Sequence, residues 1–263
     1  MKKYFKVASL AFQEQAAYRL NFYLGLLNEF FIFSVFVLFW RKIYESGQQL
    51  GDYSFEALAT YLLVMMLVNL VVRHWMANDV RQDIQEGIIL PLLTKPISYV
   101  ALMFAKRLGA KSAFVLWTSW LVFLAGMIVP FVTLPKNIFL WLGFAISLFF
   151  AFLTYFFIQY LAGLASFWLG NSHGLTFAIF LVTILLSGSL LPLDLFPNWL
   201  RMITDWLPFQ FTAYVPISTF LGRLSPQGWF VLMGKNLLWI FGFMLFSKWL
   251  WIRGLRRYEA YGQ

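Results

Sequence analysis

Residues 170–174 read Gly-Asn-Ser-His-Gly. That is the G-x-S-x-G spacing which, between a strand and a helix, lifts a serine nucleophile onto a sharp turn. Here the five residues join two long apolar runs and no strand precedes them. They are expected to form a tight turn, with Asn171 or Gly174 supplying the backbone freedom. The histidines are His74 and His173, and there is no cysteine. A zinc site would therefore need carboxylates to complete it. Asp79, Asp83 and Glu86 follow His74, but their spacing matches no metal motif, so no metal is expected. Asp83 and Glu86 share a helix face, and paired carboxylates can do acid–base work. No pocket-forming segment surrounds them, and Arg81 and Lys95 lie close by. They read as a solvated or partner-facing surface. No G-x-x-x-x-G-K-[ST] phosphate loop is present. The chain is expected to have no catalytic residues and no P-loop ATPase activity of its own.

The elements that carry these residues follow from composition. The chain is 61% hydrophobic and 12% charged, about half the charged share of a soluble domain. So few charges cannot cover a globular surface in water. The net charge of +9 would suggest nucleic acid in a soluble protein. Here the basic residues flank apolar runs, which fits anionic headgroups and cytosolic retention instead. The basic N-terminus is separated from the first apolar run by a polar stretch through Arg19. No small-residue cleavage pattern follows, which argues against a signal peptide.

A membrane-crossing helix needs roughly 20 apolar residues. Six such spans are expected, near 20–40, 55–72, 112–131, 138–169, 175–193 and 229–252. With a cytosolic N-terminus, fourteen Lys and Arg fall inside, among them Lys2, Lys3, Lys6, Arg73, Arg81, Lys95, Lys106, Arg107, Lys111 and Lys248. Six fall outside: Arg41, Lys42, Lys136, Arg201, Arg223 and Lys235. That bias places both termini in the cytosol. Glu29 lies a third of the way into the first span, where an ionisable group is paired or functional. Either it is buried with Asn69 of the second span as partner, or the span boundary is displaced and it sits at the interface.

Three further segments are neither span nor plain loop. Residues 4–19 mix Phe5, Leu10 and Phe12 with Lys6, Gln13, Glu14 and Arg19; with Lys3 they read as an amphipathic helix in the interface, the alternative being a frayed basic tail. The inside segment 73–111 contains a helix-compatible stretch, 78–86, which Gly87 can stop. A second short element punctuated by Pro91 and Pro96 follows. Residues 191–209 are too apolar for an ordinary loop and too rich in proline to span. Two short helices dipping into the outer leaflet are expected there, one opened by Pro197 or Asn198, with Trp199 and Trp206 at interfacial depth. Ala162, Ser166 and Gly170 recur every four residues, a close-packing pattern. Ser187-Gly188-Ser189 marks a place where the fifth span can loosen.

Taken in order, these features resemble the membrane subunits of ATP-binding-cassette exporters of the type II class, permeases with six spans. Four segments carry the resemblance: the amphipathic N-terminus; Asp83-Ile-Gln-Glu-Gly-Ile-Ile-Leu-Pro-Leu-Leu-Thr-Lys-Pro96, similar to the family's coupling region; Gly188-Ser-Leu-Leu-Pro-Leu-Asp-Leu-Phe-Pro197 with Trp199 and Leu207-Pro208, similar to its break before the last span; and the tail Trp251-Ile-Arg-Gly-Leu-Arg-Arg-Tyr-Glu259. The resemblance implies an all-α integral membrane protein made of one permease domain, 1–263. Six transmembrane helices would be joined by an interfacial N-terminal helix, a cytosolic coupling helix in 73–111 and two re-entrant outer half-helices in 194–220.

By the same resemblance the chain would pair with a second permease, a copy or a paralogue, above two cytosolic ABC ATPases that hold the ATP and magnesium. Coupling would fall to Gln85, Glu86, Gly87, Leu90, Pro91, Leu92 and Leu93, with Lys3, Phe5, Lys6 and Phe12 on the interfacial helix. Met65, Asn69, Phe180, Thr183 and Ser187 would line the pathway, or simply pack. Export across the cytoplasmic membrane is implied, with no nucleic-acid partner. A glycan-export permease is a sibling reading, in which Phe149, Phe150, Tyr155 and Trp168 would line a sugar path. The rival from another class is a rhomboid-like membrane serine protease. It would need Ser172 at mid-membrane depth facing a histidine, and both Ser172 and His74 lie near the ends of apolar runs.

Overall fold

The computed structural model describes residues 2–128, 134, 135, 137–169 and 172–260, and these are helical with no strand among them. Lys136, Gly170, Asn171 and the 129–131 end of the third expected span lie outside those residues. In chain order the helices are α1 (Lys2–Ala17), α2 (Arg19–Glu45), α3 (Phe55–Val72), α4 (Met76–Gln85), α5 (Leu90–Leu93), α6 (Tyr99–Ile128), α7 (Ile138–Leu164), α8 (His173–Leu186), α9 (Asn198–Trp206), α10 (Tyr214–Phe220) and α11 (Pro226–Ala260).

Local chemistry sets several of these boundaries. Ser54 caps α3 by accepting from the Ala57 amide at 3.2 Å, with Glu56 in the first turn, which suits the positive end of the helix dipole. Asn137 caps α7 through the Phe139 amide at 2.9 Å. Ser225 holds the Gly228 amide at 3.1 Å where Pro226 opens α11.

Among the described residues, four helical stretches are long and apolar enough to cross a bilayer: 23–45 in α2, α3 with its continuation into α4, α7 with the 3-10 turn that follows it, and α11. Two expectations shift. The third span does not begin at 112. Its helix, α6, starts at Tyr99 and runs for 30 residues, so the last third of the expected 73–111 loop belongs to it. The charges there are accommodated because Lys106 and Arg107 both pair with Asp79. The fifth expected span, 175–193, stops at Leu186. Its helix α8 has 14 residues, about 21 Å long against a hydrocarbon layer of about 30 Å. Gly188, at φ +82°, turns the chain out of the helix. The Tyr61 hydroxyl then holds the Gly188 carbonyl at 2.7 Å.

Helix α3 forms the axis. From Leu58 to Val72 every residue is buried. Phe33, Val37 and Trp40 of α2, Ala151 and Tyr155 of α7 and Ile217 and Phe220 of α10 enclose it in one apolar core. A second core lies at the end of the bundle that carries α4 and α5, called the basic end below. It joins Met76, Val80, Ile84 and Ile89 to Tyr99, Phe156, Tyr160 and Phe167.

Two short helices precede the last span, α9 within the expected 191–209 stretch and α10 beyond it, and they behave differently. Helix α10 is buried from Val215 to Phe220, whereas α9 buries only Thr204 and exposes Trp199, Met202 and Trp206. Buried polar bonds staple α7 to α11: the Thr154 hydroxyl to Asn236 Oδ1 at 2.7 Å, and the Trp229 indole to Ser147 at 2.8 Å. Such bonds hold helices together where hydrophobic burial gives no net gain between them.

Candidate coupling face and its supports

Helix α4 buries Met76, Ala77, Val80 and Ile84 along one face and turns Gln82 and Gln85 outward. The buried face sits against α7. A Cβ on Gly163 would lie 2.6 Å from the Val80 Cβ, so only glycine lets the two backbones approach this closely. The Ala77 amide donates to Gln159 Oε1 at 3.3 Å, which accounts for one of the donors left free at a helix start. Asp79 takes Lys106 at 3.3 Å and also Arg107 of α6. The Asp83 carboxylate accepts the Tyr99 hydroxyl at 2.7 Å. Burial, and then that bond, pushes the Tyr99 phenol well above its ordinary range, so it stays a donor at any physiological pH.

Past α4 the chain reverses at Gly87, whose φ of +76° is in the left-handed region. Glycine adopts that conformation at no steric cost. Ile89 then drops into the core, fully buried, while Ile88, Leu90 and Leu93 stay 46%, 51% and 42% exposed. Pro91 is exposed and Leu92 half-buried. Beside this aliphatic tip, Glu86 accepts from Gln82 at 2.9 Å and Gln85 accepts from Arg81 at 3.0 Å. The expected coupling residues are therefore brought together. All but Gly87 and Leu92 are exposed, on a stem rooted by Val80, Ile84 and Ile89.

Two neighbours brace the stem. Helix α1 lies along α6 so closely that a Cβ on Gly109 would fall 2.0 Å from the Ala8 carbonyl oxygen. Its first turn reaches the segment after α5: Lys3 donates to the Pro96 carbonyl, and the Tyr4 hydroxyl accepts from the Ser98 amide at 2.9 Å. Phe5, Lys3 and Lys6 remain exposed and Phe12 is half-buried. On the other side, Trp251 of α11 stacks on Tyr99 at 4.9 Å and 10°. Phe167 meanwhile fills the space where Gly254 has no side chain.

The expected pathway residues divide between two helices. Met65 is in the core around α3. Asn69 is buried, and Glu29, which the sequence offered as its partner, lies near it and is half-buried. On α8, Phe180 lies 4.8 Å from the Trp75 ring, and the guanidinium of Arg73 lies 6.0 Å from the Phe180 ring centre. The Thr183 hydroxyl donates to Ile179 at 2.7 Å, and Ser187 pairs with Ser189 at 2.7 Å. None of the five lines the cleft of about 570 Å³ at the basic end. Near Asn69, Lys111 donates to the Leu70 carbonyl at 2.6 Å. His74 is buried between Phe152 and Tyr155. The Ser172 hydroxyl and both His74 nitrogens make no hydrogen bond among the described residues, so the serine–histidine pair a protease needs is not formed. Among those residues no group of His, Asp and Glu is placed to hold a metal.

Sequence reasoning did not single out one cluster at the far end of the bundle. Asp194 accepts from Tyr53 at 2.8 Å and from Tyr214, with Arg201 at 3.8 Å. Arg223 covers the Tyr53 ring at 3.5 Å. The available signal was a single carboxylate inside the apolar stretch 191–197.

A chain whose described residues form helices and no strand, with four apolar stretches long enough to span among them, is a multi-pass membrane protein. Residues 30–262 match the sequence model of the ABC-2 family transporter protein, and the chain belongs to that family. It is a membrane permease component of an ABC transporter, the transmembrane part and not the ATPase. Membership implies a partner ABC ATPase in general terms. No curated protein matches the chain.

Proposed function

We propose that this permease is half of the conduit of an ATP-driven exporter in the cytoplasmic membrane. The tip formed by Gln85, Glu86, Gly87, Leu90, Pro91, Leu92 and Leu93 docks in a groove of a cytosolic ATPase, which holds the ATP and magnesium. A second copy or a paralogue completes the conduit, and both termini lie in the cytosol. Met65 and Asn69 on α3, with Phe180, Thr183 and Ser187 on α8, border the route taken by cargo when the two halves part.

One observation carries this reading. Three aliphatic side chains, Ile88, Leu90 and Leu93, stand exposed on a stem whose other face is fully packed. Apolar groups presented to water on a rigid stem are the pattern of a partner contact. A push on the tip is carried through Val80 into α7 at Gly163 and, by way of Pro96 and Ser98, into α1. The test is the double variant Glu86→Ala/Leu90→Ala. Both side chains are exposed, so insertion and Tm are expected to hold. Co-purification of the ATPase and transport-linked hydrolysis are expected to fall at least about tenfold. Wild-type transport by the double variant would remove the coupling role.

A further inference from the structure

We propose that the cleft between α5, the start of α6, α7 and α11 holds an acyl chain of an anionic phospholipid, with the headgroup on Lys248. The cleft measures about 570 Å³, within the range of small-molecule sites, about 300–1,000 Å³. Its walls are Leu93, Val100, Phe157, Met244 and Leu245. Most polar groups at its edge are already engaged. The Tyr99 hydroxyl donates to Asp83, the Ser247 hydroxyl to the Met244 carbonyl at 2.9 Å, and the Ser98 amide to Tyr4. The site offers a ligand apolar walls and one cation. Lys248 is exposed and forms no salt bridge among the described residues.

The depth of these groups along α11 fits a lipid lying parallel to the helix. Met244, Lys248 and Trp251 lie on one stripe, at the i, i+4 and i+7 positions. Trp249 and Trp251 mark headgroup level, where tryptophan gathers, and Arg253 covers the Trp249 ring at 4.3 Å. Lys248 is thus at headgroup depth, with Met244 and Leu245 about a turn deeper. Among the described residues no Asp or Glu lines the cleft. Lys95 is two residues from the lining residue Ile97, and Lys3 reaches the Pro96 carbonyl. The charge complements an anion, and the walls complement a chain that asks for no hydrogen bonds. An extended peptide segment from a partner would leave its backbone groups unpaired against these walls.

A lipid here wedges between the tip and α11. That consequence for transport rests on the coupling role proposed above; the binding itself does not. The test places the full chain in phosphatidylcholine nanodiscs with a trace of phosphatidylglycerol bearing a photoreactive acyl chain, and maps the labelled peptides. Label is expected on 89–100 and 244–251 well above that on 230–241, the lipid-exposed stretch of α11. Unlabelled phosphatidylglycerol is expected to compete, but extra phosphatidylethanolamine or inorganic phosphate is not. Lys248→Gln should weaken that competition about fivefold, the effect of one cation near an anionic headgroup, and Lys248→Arg should retain it. Val100→Trp, which fills the cleft, should remove the label while Tm holds. Even labelling of α2 and α11, equal competition by the neutral lipid, competition by phosphate alone, or loss of label only when the ATPase binds would each overturn the proposal.

Discussion

The Tyr53 hydroxyl donates to the Asp194 carboxylate at 2.8 Å, joining the α2–α3 turn to the segment that leads into α9. Tyr214, at the start of α10, donates to the other oxygen of the same carboxylate. Burial first, and then the Asp194 bond and charge, push both phenols upward, so both remain donors at physiological pH. One carboxylate therefore ties three parts of the far end together. Hydrogen bonds to a charged acceptor contribute about 1.5–3 kcal/mol each. Asp194→Ala is expected to lower stability by at least about 2 kcal/mol, read as a Tm drop in detergent. The chain has no cysteine, so a single cysteine placed at Ser218 reports opening directly. Its labelling should accelerate in the Asp194→Ala background and stay slow with Asp194 intact. Unchanged labelling would show that Asp194 does not hold α10 in place.

The close approach of α4 to α7 gives a paired-variant test. Gly163→Ala drives a Cβ into Val80, and overpacking of this kind costs about 1–3 kcal/mol. Because α4 carries the tip, hydrolysis coupled to transport should fall along with Tm. Val80→Gly in the same chain removes the Cβ that the new methyl strikes and is expected to restore part of both, less the roughly 1 kcal/mol that a glycine costs inside a helix. No rescue by Val80→Gly beyond that cost would mean that the loss arose elsewhere than at this contact.

Helix α1 makes an analogous approach at Gly109. Gly109→Leu cannot coexist with Ala8 in its present position, so α1 should lift from α6. Cleavage by trypsin at Lys3, Lys6 and Arg19 in inside-out vesicles should then rise several-fold while the spans stay protected. Tyr4→Phe, which removes the acceptor of the Ser98 amide, should do the same more weakly, by about 1 kcal/mol. If both variants are cleaved at the wild-type rate, α1 is not clamped as described. If wild-type α1 is protected in inside-out vesicles but cleaved in right-side-out ones, the cytosolic assignment of the N-terminus fails.

Long apolar runs made α2, α3, α7 and α11 legible in the sequence, because hydrocarbon accepts only helices with their backbone bonds satisfied. Gly87 and Pro91 gave away the tip for the same kind of local reason. Two things were not legible. That α6 begins at Tyr99 rather than near 112 depends on Asp79, 27 residues from Lys106, neutralising charges that otherwise read as a loop. That α8 ends at Leu186 depends on Tyr61 holding Gly188 across 127 residues. Apolar content alone continues through Leu191. The Asp194 cluster had the same character: a lone carboxylate says nothing until its two tyrosines are placed. Long-range polar pairs decided what hydropathy could not.

Glu29 offers the last test, because it separates a packing role from a charge role at the α2–α3 contact. Its carboxylate is half-buried and lies near Asn69 and two cations, Arg73 at the end of α3 and Lys111 of α6. None of the three charged groups is fully buried and no ion pair joins them among the described residues, so charge compensation is expected to contribute about 1 kcal/mol. Glu29→Ala leaves the two cations without their carboxylate, and a modest loss of Tm is expected. Glu29→Gln keeps the shape but not the charge. It should lose nearly as much if compensation of the cations is what counts, and almost nothing if packing alone counts. Adding Lys111→Met to Glu29→Gln removes the surplus cation and should recover part of the loss. The geometry favours the charge role: Lys111 already donates to the Leu70 carbonyl, one residue beyond Asn69, so its amine is held at this site whichever residue stands at 29. A double variant no more stable than Glu29→Gln alone would show that the cations do not depend on Glu29.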